Sequence, residues 1–263
     1  MQTRLPISVA VITLNEQENL PRCLESVRDL ANQIVVLDCG STDGTKAAAE
    51  KFGAEFHFAQ WTGFVSQKNK CLALCSQPWA LCLDADEALS PELAQSIRAL
   101  FASNDPQADG FEVNRRTFYL GAWIRYSWYP EWRLRLVRKG GATWTGLDPH
   151  DYLETSGRTE KLSGDLLHYS FRDLHDHLQR TLKYSRLMAQ SYYQSGRRFH
   201  WAQLLISPWL SFLKHLILKS GWRDGWRGWL IAFSKWLDVF AKYAFLLEIE
   251  CAPSPEKIIS PRC

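Results

Sequence analysis

The amino-acid sequence predicts an α/β protein with a mostly parallel sheet, helices on both faces of that sheet, and a helical, amphipathic C-terminal extension. Short apolar runs alternate with helical patterns through the first 110 residues. The 263 residues are 46% hydrophobic, which is enough to bury a sizeable core. Beyond residue 170 the pattern changes to helices rich in aromatic and basic side chains. We therefore expect one domain over residues 1–170 and a helical region over residues 171–263.

Four strands and four helices alternate in the first 110 residues. The predicted strands are β-branched or apolar runs at 7–12, 34–37, 55–58 and 79–83. The predicted helices lie at 20–29, 45–52, 64–75 and 91–101. Gly53 suits the end of the second helix, and Ser90 followed by Pro91 suits the start of the fourth. Because strand and helix alternate, the strands are expected to run parallel and to be covered on both faces.

Carboxylates follow three of these strands at the point where each strand ends. Glu16 follows the first strand, Asp38 the second, and Asp84 and Asp86 the fourth. Ligands of open parallel sheets bind beyond the carboxyl ends of the strands, so these side chains are expected to share one rim. The first strand–helix turn contains no glycine, and no GxxxxGK[ST] phosphate cradle is present. A divalent cation between the carboxylates and a diphosphate would reconcile this acidic rim with a nucleotide.

The Asp84-Ala85-Asp86 sequence fits a cation site of this kind. Residues two apart on a continuing strand point the same way, so both carboxylates would face one ligand, and the small Ala85 would let it approach. The alternative is a polar strand end followed by a helix N-terminus, where Glu87 and Glu92 favourably meet the helix dipole. The spacing alone leaves both interpretations open.

Charge is distributed unevenly along the chain. Residues 1–110 carry 8 Lys/Arg against 14 Asp/Glu, and residues 111–263 carry 23 against 14. This favours an acidic, cation-using part joined to a basic part that suits phosphates or an anionic surface. The net charge of only +3 and the lack of a recognisable binding motif argue against nucleic acid as a partner.

Cysteine usage and hydropathy bear on location. The seven cysteines are scattered and form no CxxC pair, which indicates reduced thiols in a cytosolic protein. The N-terminus lacks the pattern of a signal peptide, and no stretch reaches the roughly 18 apolar residues that a membrane span needs. We expect a cytoplasmic protein that is soluble or peripheral to a membrane.

Three ordered stretches resemble the family 2 glycosyltransferases. They are ISVAVITLNEQENLPRCLESV, IVVLDCGSTDGT and WALCLDADE, the last of which carries a DxD-type motif. Two later stretches, GLDPHD and GWRDGWRGWLIAFSKWLDVFAKY, are similar to the branch of lipopolysaccharide core biosynthesis glycosyltransferases. The resemblance implies a GT-A-like, Rossmann-type fold, with a nucleotide-binding half over residues 1–110 and an acceptor-side half over residues 111–170.

The resemblance also implies roles on the donor side. Thr13 and Glu16 would line the nucleoside pocket, and Asp38 would hydrogen-bond the base. Asp84 would lie against the ribose or the metal, and Asp86 would bind Mg²⁺ or Mn²⁺ on the diphosphate. Asp43, in the same loop as Asp38, is expected to be a turn or N-cap residue.

Later residues are assigned to the base, the metal and the acceptor. Sugar transfer needs a base for the acceptor hydroxyl, and Asp151 occupies the position of the branch's Glu. The alternative for Asp151 is a solvated position beside a proline turn. His168 resembles an additional metal ligand of some GT-A enzymes, although a packed histidine is the commoner case. His150 is assigned to the acceptor side.

An arginine-rich and aromatic segment, residues 114–144, separates these motifs. Aromatic faces pack against sugars and arginine forks bind phosphates, so the segment suits an acceptor wall that includes Arg133 and Arg135. The alternating RLRLVRK stretch equally fits an amphipathic edge strand with a solvated basic face.

A regular aromatic pattern marks the C-terminal region. Its members are spaced 4, 3, 4, 3, 4 and 3 residues apart, which is typical of one helical face: Trp222, Trp226, Trp229, Phe233, Trp236, Phe240 and Tyr243. Residues 196–242 carry eight Lys/Arg and two Asp/Glu. The pattern fits a helix in a bilayer interface, and it equally fits a stripe packed against a protein core.

These observations together predict a metal-dependent, inverting glycosyltransferase on the inner face of the cytoplasmic membrane. It would transfer a hexose from a nucleotide-diphosphate donor, expected to be a UDP-sugar, to a glycolipid or cell-envelope oligosaccharide such as lipopolysaccharide core. One alternative is a polyprenyl-phosphate glycosyltransferase, which added membrane spans would favour. The other is a noncatalytic, membrane-associated binding protein of the same fold, which the carboxylates at 84, 86 and 151 disfavour.

Overall fold

The structure, a computed structural model, describes residues 3–102, 106–147 and 150–251, with the backbone alone at Leu147 and His150. The described residues form two compact units. The first unit contains the residues before 119 and residues 128–170. The second unit contains residues 119–127 and the residues from 171 onward.

Most of the first unit is a mixed sheet with a small hairpin beside it. The strands are β1 (Leu5–Thr13), β2 (Ala31–Asp38), β3 (Glu55–Phe58), β4 (Trp79–Asp84), β5 (Glu87–Leu89), β6 (Gly110–Tyr119), β8 (Trp132–Arg138) and β11 (Thr159–His168). Their order in the sheet is β3-β2-β1-β4-β8-β6-β11-β5. β9 (Ala142–Leu147) and β10 (His150–Thr155) form the antiparallel hairpin, and the two-residue β7 (Ala122–Trp123) follows β6.

Strand direction follows the length of the connections. β1, β2, β3 and β4 are mutually parallel where they pair, and β11 is parallel to β6. β8 runs antiparallel to both of its neighbours, and β5 runs antiparallel to β11. Parallel neighbours need a long crossover, which the helices of the first half provide. The prediction of a mostly parallel sheet is confirmed.

Helices cover both faces of the sheet, as the alternation of strands and helices predicts. They are α1 (Leu20–Val27), α2 (Thr45–Lys51), α3 (Phe64–Leu74) and α4 (Pro91–Ala102). Val9 and Leu81 belong to the core under α1 and α4, whereas their neighbours Ala10 and Cys82 belong to the core under α3. Strands buried on both faces read as continuous apolar runs, which is why β1 and β4 are visible in the sequence.

All eight elements predicted in the first half are present, with ends that differ by three residues at most. The predicted caps are also found. Leu93 donates its amide to the Ser90 hydroxyl at 3.1 Å, and Gly53 ends α2 with a φ of +69° that favours glycine. After residue 110 the sequence predicted only the helix of the aromatic pattern and, as one alternative, a strand at RLRLVRK, and both elements are present, the helix at Trp226–Cys251 and the strand as β8.

The second unit consists of helices that pack on one long helix. They are α5 (Leu174–Gln194), α6 (Trp201–Leu205), α7 (Ser207–Leu213), a π-helical turn (Lys214–Leu218), a 3-10 turn (Gly221–Asp224) and α8 (Trp226–Cys251). α5 and α7 both pack along α8. Among the described residues, no helix has the length and apolar character needed to cross a bilayer.

The aromatic pattern of the C-terminal region is divided between different surroundings. The expectation of a single helical face is wrong at Trp222, which lies in the 3-10 turn because α8 begins only at Trp226. Trp236 packs against the core around Phe212, whereas Trp226 and Trp229 are exposed. Five of the seven aromatic side chains are exposed in all: Trp222, Trp226, Trp229, Phe233 and Phe240.

The half-buried carboxylate of Asp224 fixes the turn before α8. Asp224 accepts hydrogen bonds from the backbone amides of Arg125, Tyr126 and Ser127 at 2.8–3.2 Å, and from the Ser127 hydroxyl at 2.9 Å. Several donors on one carboxylate give a rigid local arrangement. The turn that carries Trp222 is therefore held by the preceding part of the same unit.

Candidate functional site

Asp38, at the end of β2, organises the loop that follows it. One carboxylate oxygen accepts the amides of Gly40 and Ser41, both at 2.8 Å. The other accepts the Thr13 hydroxyl at 3.0 Å and the Ser41 hydroxyl. Burial alone raises the pKa of Asp38, but these hydrogen bonds, chiefly those from Ser41, outweigh burial and lower the pKa below its usual value. Four donors fill the acceptor capacity of a carboxylate, so a direct contact with a nucleobase requires one donor to leave.

Glu16 and Asp43 act at the starts of helices in the described structure. The Glu16 carboxylate accepts a hydrogen bond from Asn19 at 2.9 Å, and its backbone amide donates to the Thr45 hydroxyl at 2.8 Å. Asp43 accepts the backbone amide of Thr45 at 3.0 Å, which is the expected turn role, whereas the N-cap of α2 is Gly44. The loops after β1 and β2 are thus tied together beside the carboxyl ends of both strands.

A chain of charges links the end of β4 to the β9–β10 hairpin. The Lys68 ammonium on α3 lies 2.9 Å from Asp84 and 2.8 Å from Asp151, and only 11% of the Lys68 side chain is exposed. It also lies 4.3 Å from the ring centre of Trp144. Asn69 holds α3 against β9 through two 2.9 Å hydrogen bonds to the backbone of Trp144. This packing brings Asp84 and Asp151 to the same ammonium group.

The charges in this chain stabilise one another's ionised forms. Burial alone raises the pKa of Asp84, but Lys68 and then Arg135 outweigh burial and hold the pKa well below its usual range. Burial alone lowers the pKa of Lys68, but Asp84 and Asp151 outweigh both burial and the Arg135 charge and raise it. The site therefore keeps an ionised carboxylate and an ammonium in partly buried surroundings.

Behind Asp84 lies a buried network of arginine and glutamate side chains. Arg135 donates to Asp84 at 2.9 Å and to Glu87 at 2.6 Å, and its side chain is 4% exposed. The Glu87 side chain is completely buried; it contacts Arg115 at 3.4 Å and accepts the amide of Asp84 at 3.0 Å. Arg115 in turn makes a two-point contact with Glu131. The network therefore holds the end of β4 in place through Asp84.

Two interpretations of the sequence are wrong here. Glu87 does not meet a helix dipole, because it lies in β5 and pairs with arginine side chains. The RLRLVRK stretch is not an edge strand, because β8 lies between β4 and β6 in the sheet. Glu92 does lie in the first turn of α4.

Asp86 and His168 meet beside the chain of charges. The Asp86 Oδ2 atom lies 3.4 Å from His168 Nε2, and the Thr117 hydroxyl lies 3.5 Å from His168 Nδ1. His168 pairs with Glu87 in the antiparallel β5–β11 ladder, which sets the imidazole next to Asp86. Burial alone raises the pKa of Asp86, but His168 outweighs it and the pKa is lowered.

The route by which Asp86 reaches the site differs from the expected one. β4 ends at Asp84, and Asp86 lies in the turn before β5, so the strand alternation invoked for the two aspartates does not apply. Their carboxylates have different partners: Lys68 and Arg135 for Asp84, His168 for Asp86. The turn therefore gives the two carboxylates different sets of partners.

The donor atoms of Asp86 and His168 fit a divalent ion. Ligand atoms about 2.1 Å from an ion and at right angles lie about 3 Å apart, close to the distance between these two atoms. In the described ranges no group of three or more His, Cys, Asp or Glu side chains is arranged to hold a metal. Two protein ligands suffice where phosphate oxygens complete the coordination, as is usual for Mg²⁺.

The residues assigned to the acceptor are dispersed. Arg133 is partly exposed on β8 and pairs with Glu131 at 2.6 Å. Arg135 points inward to Asp84 and Glu87. The His150 backbone lies in β10 next to Asp151, and its side chain is outside the described residues. The structure thus brings Arg135 to the donor side and leaves Arg133 at the surface.

Lys68 and Glu87 are components of this site that sequence reasoning missed. Lys68 sits in the polar SQKNK stretch of α3, where a lysine looks like an ordinary solvated residue. Its signal is positional, because α3 is the helix that precedes the strand carrying the DxD-type motif. Glu87 follows that motif directly and is buried. The sequence does not reveal this burial, since glutamate is almost never fully buried unless it is paired.

Comparison with known sequences decides the family. The sequence model described as "Glycosyl transferase family 2" matches residues 8–156. The chain is 33% identical, over 258 residues, to the lipopolysaccharide core biosynthesis glycosyltransferase LpsC of Rhizobium meliloti (strain 1021). That alignment covers 94% of this chain and 92% of the relative. The chain belongs to glycosyl transferase family 2. The resemblance that the sequence motifs indicate is therefore confirmed, and the protein is a glycosyltransferase.

Other similar proteins agree with this family and with the fold. An uncharacterized glycosyltransferase of Rickettsia typhi (strain ATCC VR-144 / Wilmington) is 28% identical over 246 residues, covering 88% of this chain and 84% of that protein. The mannosyltransferase PcManGT from Pyrobaculum calidifontis, solved with GDP-Man and Mn²⁺, superposes with a TM-score of 0.53 at 14% identity. The superposition covers 93% of this family 2 member and 88% of PcManGT. At that identity the likeness concerns the fold, which is the GT-A fold.

Proposed function

We propose that this family 2 glycosyltransferase transfers a sugar from a nucleotide-diphosphate donor, with inversion and with a divalent cation, to a glycolipid or cell-envelope oligosaccharide. The observation that carries the proposal is the pair of neighbouring charge clusters at the carboxyl end of β4. Asp86 with His168 suits a cation on a diphosphate, and Asp84–Lys68–Asp151 joins that region to a carboxylate on another strand.

The nucleoside of the donor is assigned to the loops after β1 and β2. Thr13, Glu16 and Asp38 line these loops, and UDP is the expected nucleotide. Since Asp38 already accepts four hydrogen bonds, the freely rotating Ser41 hydroxyl is the donor that would give way to a base N–H. Asp84 is assigned to the ribose, and Arg135 holds Asp84 in place from behind.

The diphosphate is assigned to the Asp86–His168 pair. Mg²⁺ or Mn²⁺ held there would stabilise the charge that develops on the leaving diphosphate. A carboxylate suits both ions, and an imidazole is the more common ligand of transition metals, which makes Mn²⁺ the better match. The Thr117 hydroxyl near the other ring nitrogen suits the task of orienting His168.

Asp151 is assigned the role of base. Lys68 holds one of its carboxylate oxygens, and we assign the other oxygen to the acceptor hydroxyl, whose proton it takes as the hydroxyl attacks the anomeric carbon. Attack from the face opposite the leaving diphosphate inverts the configuration at that carbon. Only 8% of the Asp151 side chain is exposed in the free protein, so water competes little for this carboxylate.

The acceptor class rests on the relative LpsC, whose alignment covers 94% of this chain. LpsC of Rhizobium meliloti is described as a lipopolysaccharide core biosynthesis glycosyltransferase, and an acceptor of that class is a lipid-linked oligosaccharide. Arg133 and His150 are assigned to the acceptor side, where a guanidinium suits phosphate groups. Such an acceptor resides in a membrane, and we therefore assign the enzyme to the inner face of the cytoplasmic membrane.

A donor panel tests the proposal directly. Purified wild-type protein and Asp86→Ala are assayed for hydrolysis and binding of UDP-, GDP- and ADP-sugars, each with Mg²⁺, Mn²⁺ or a chelator. We expect one nucleotide class to bind, cation-dependent turnover in the wild type, and loss of turnover in Asp86→Ala with an unchanged melting temperature. Turnover that persists in the chelator or in Asp86→Ala would remove the metal role. Absence of binding to every donor would overturn the proposal as a whole.

A further inference from the structure

The segment between α5 and α8 exposes apolar side chains in a regular pattern. Leu205, Trp209, Leu213 and Ile217 follow one another at four-residue spacing, and Ile206 and Leu210 form a second row beside them. Residues at this spacing lie on the same side of a helix. All six are exposed, and we call them the outer rows.

The same segment already has an inner side that packs as a core. Pro208, Phe212 and Leu216 are buried, also at four-residue spacing, and Phe212 and Leu216 pack with Ala232 of α8. Because α7 already packs on α8 through its inner side, the outer rows are not the side of α7 that forms the core. Contiguous exposed apolar surface of this kind marks an interaction site.

The turn between α7 and α8 extends this surface to its most exposed point. Leu218 is 80% exposed at the end of the π-helical turn, and Trp222 in the 3-10 turn is 58% exposed. Lys214, Lys219 and Arg223 flank these side chains and are exposed as well. Leucine and tryptophan beside lysine and arginine are the composition of protein surfaces that lie in a bilayer interface.

The C-terminal region carries an excess of positive charge. Residues 196–242 contain eight Lys/Arg and two Asp/Glu. Asp224 is occupied by the amides of residues 125–127 and by a hydroxyl, and Asp238 accepts the Ser185 hydroxyl at 2.8 Å. Asp238 also lies 3.8 Å from Lys235. The cations outnumber the acids, so they determine the sign of the field over the apolar surface.

We infer that the outer rows and the turn that carries Leu218 and Trp222 form a docking surface for an anionic lipid bilayer. The apolar side chains enter the interface, and Lys214, Lys219 and Arg223 meet the headgroups. A second copy of the chain fits less well, because a two-fold interface brings the same surface together with itself and would place these cations near one another. The inference deepens the membrane location in the proposed function, which it takes as its starting point.

Flotation with vesicles tests the surface without any sugar nucleotide or metal. Wild-type protein is mixed with vesicles of phosphatidylcholine alone or of phosphatidylcholine with phosphatidylglycerol, at low and high salt. We expect flotation with the anionic vesicles, weakened by salt. Absence of flotation at low salt overturns the inference. Because the assay contains no donor, its outcome is independent of the donor panel.

Variants separate the docking surface from other parts of the unit. Leu210→Ser with Leu218→Ser should remove most of the bound fraction, and Lys214→Gln with Lys219→Gln should lower the partition coefficient about fivefold per cation. Leu187→Ser is the control, because Leu187 is also exposed but lies on α5. Circular dichroism melts and donor hydrolysis in solution should equal those of the wild type in all variants.

Two outcomes would contradict the assignment. The first is equal loss of flotation in Leu187→Ser, which would indicate a nonspecific effect. The second is a wild-type protein that sediments as a dimer, while the double variant Leu210→Ser/Leu218→Ser sediments as a monomer and neither protein floats with vesicles. That result would identify a second copy as the occupant of the surface.

Discussion

The two units depart from the usual rule of burial in opposite ways. The first unit carries the candidate site and is called the catalytic unit, and the second is the helical C-terminal unit. In the catalytic unit, the side chains of Glu87, Arg135 and Lys68 are largely buried, although charged side chains are seldom buried unless they are paired. In the C-terminal unit, Leu218 and Trp222 are exposed to solvent, although large apolar side chains normally lie in cores. Each exception is costly for a free protein, and we propose a ligand for each. The difference lies in the ligand expected: a charged small molecule in one unit and a lipid surface in the other.

The energetic consequences of the two exceptions also differ. A buried ion pair adds little net stability, but removal of one partner leaves an uncompensated charge and is strongly destabilising. An exposed leucine can be replaced by a polar residue at little cost to folding. Substitutions of Glu87, Arg135 or Lys68 are therefore expected to affect both chemistry and stability, whereas those on the docking surface should affect binding alone.

The largest effect is expected at Asp151. In Asp151→Asn the side chain cannot take a proton from the acceptor hydroxyl, and turnover should fall about 10²–10⁴-fold with little change in donor affinity. Steady-state kinetics and calorimetry with the nucleotide measure the two quantities. Glu154→Gln on the same strand is the control and should behave as the wild type. Wild-type turnover in Asp151→Asn would remove this residue as the base.

Glu87→Gln tests how much the buried charge network contributes to the stability of the catalytic unit. The substitution leaves Arg115 and Arg135 without their shared carboxylate, and we expect a loss of about 3 kcal/mol in the free energy of unfolding of the catalytic unit. Urea denaturation followed by fluorescence measures it. The exposed Glu92→Gln, at the start of α4, should change stability by about 0.5 kcal/mol or less. Equal stability of both variants would show that the buried network contributes nothing.

A pH effect is expected in the C-terminal unit, where His177 accepts or donates a 2.7 Å hydrogen bond with the Tyr119 hydroxyl. Burial, with a smaller contribution from Lys235, lowers the pKa of His177 from 6.5 to about 4. The unfolded chain therefore binds a proton between these pH values and the folded chain does not. Stability should fall as pH drops through this window, by up to about 3 kcal/mol.

Thermal melts of wild type and His177→Gln from neutral pH to pH about 4 measure that dependence. The variant lacks the titrating group, so its melting temperature should vary less with pH. His200→Gln serves as the control, because His200 is exposed. A wild-type curve that is as flat as that of His177→Gln would contradict the assignment.

The smallest of these effects is expected at Lys68. In Lys68→Met, Asp84 and Asp151 lose the ammonium that they share, and turnover should fall about 10–100-fold because the base is less well positioned. Lys68→Arg retains a cation and should restore part of the turnover. Lys70→Met, two residues along α3, is the exposed control. A Lys68→Met enzyme with wild-type kinetics would show that the link between the two carboxylates has no catalytic role.

The sequence predicted the first half of the fold well because local patterns determine it. Each strand there is a short apolar run buried on both faces, and each helix has recognisable ends, as at Ser90 and Gly53. The rim of carboxylates after β1, β2 and β4 followed from the parallel arrangement of those strands. Local patterns placed Asp38 and Asp84 at the rim without any information on tertiary contacts.

The rest of the site depends on contacts between distant segments. The pairing of β11 with β5 and β6 joins His168 to Asp86, and the packing of α3 on the β9–β10 hairpin joins Lys68 to Asp151. No local propensity encodes either contact. The choice between a packed and an exposed aromatic stripe was likewise open, since Trp236 and Trp229 have the same pattern in the sequence and different surroundings in the structure.

The position of β11 limits how far the catalytic unit can be shortened. The family match ends at residue 156, and β11 (Thr159–His168) begins after it. A fragment cut at that boundary would lose the imidazole beside Asp86 and would leave β5 and β6 each with an unpaired edge. Exposed edges invite aggregation, so a minimal expression fragment has to extend through His168.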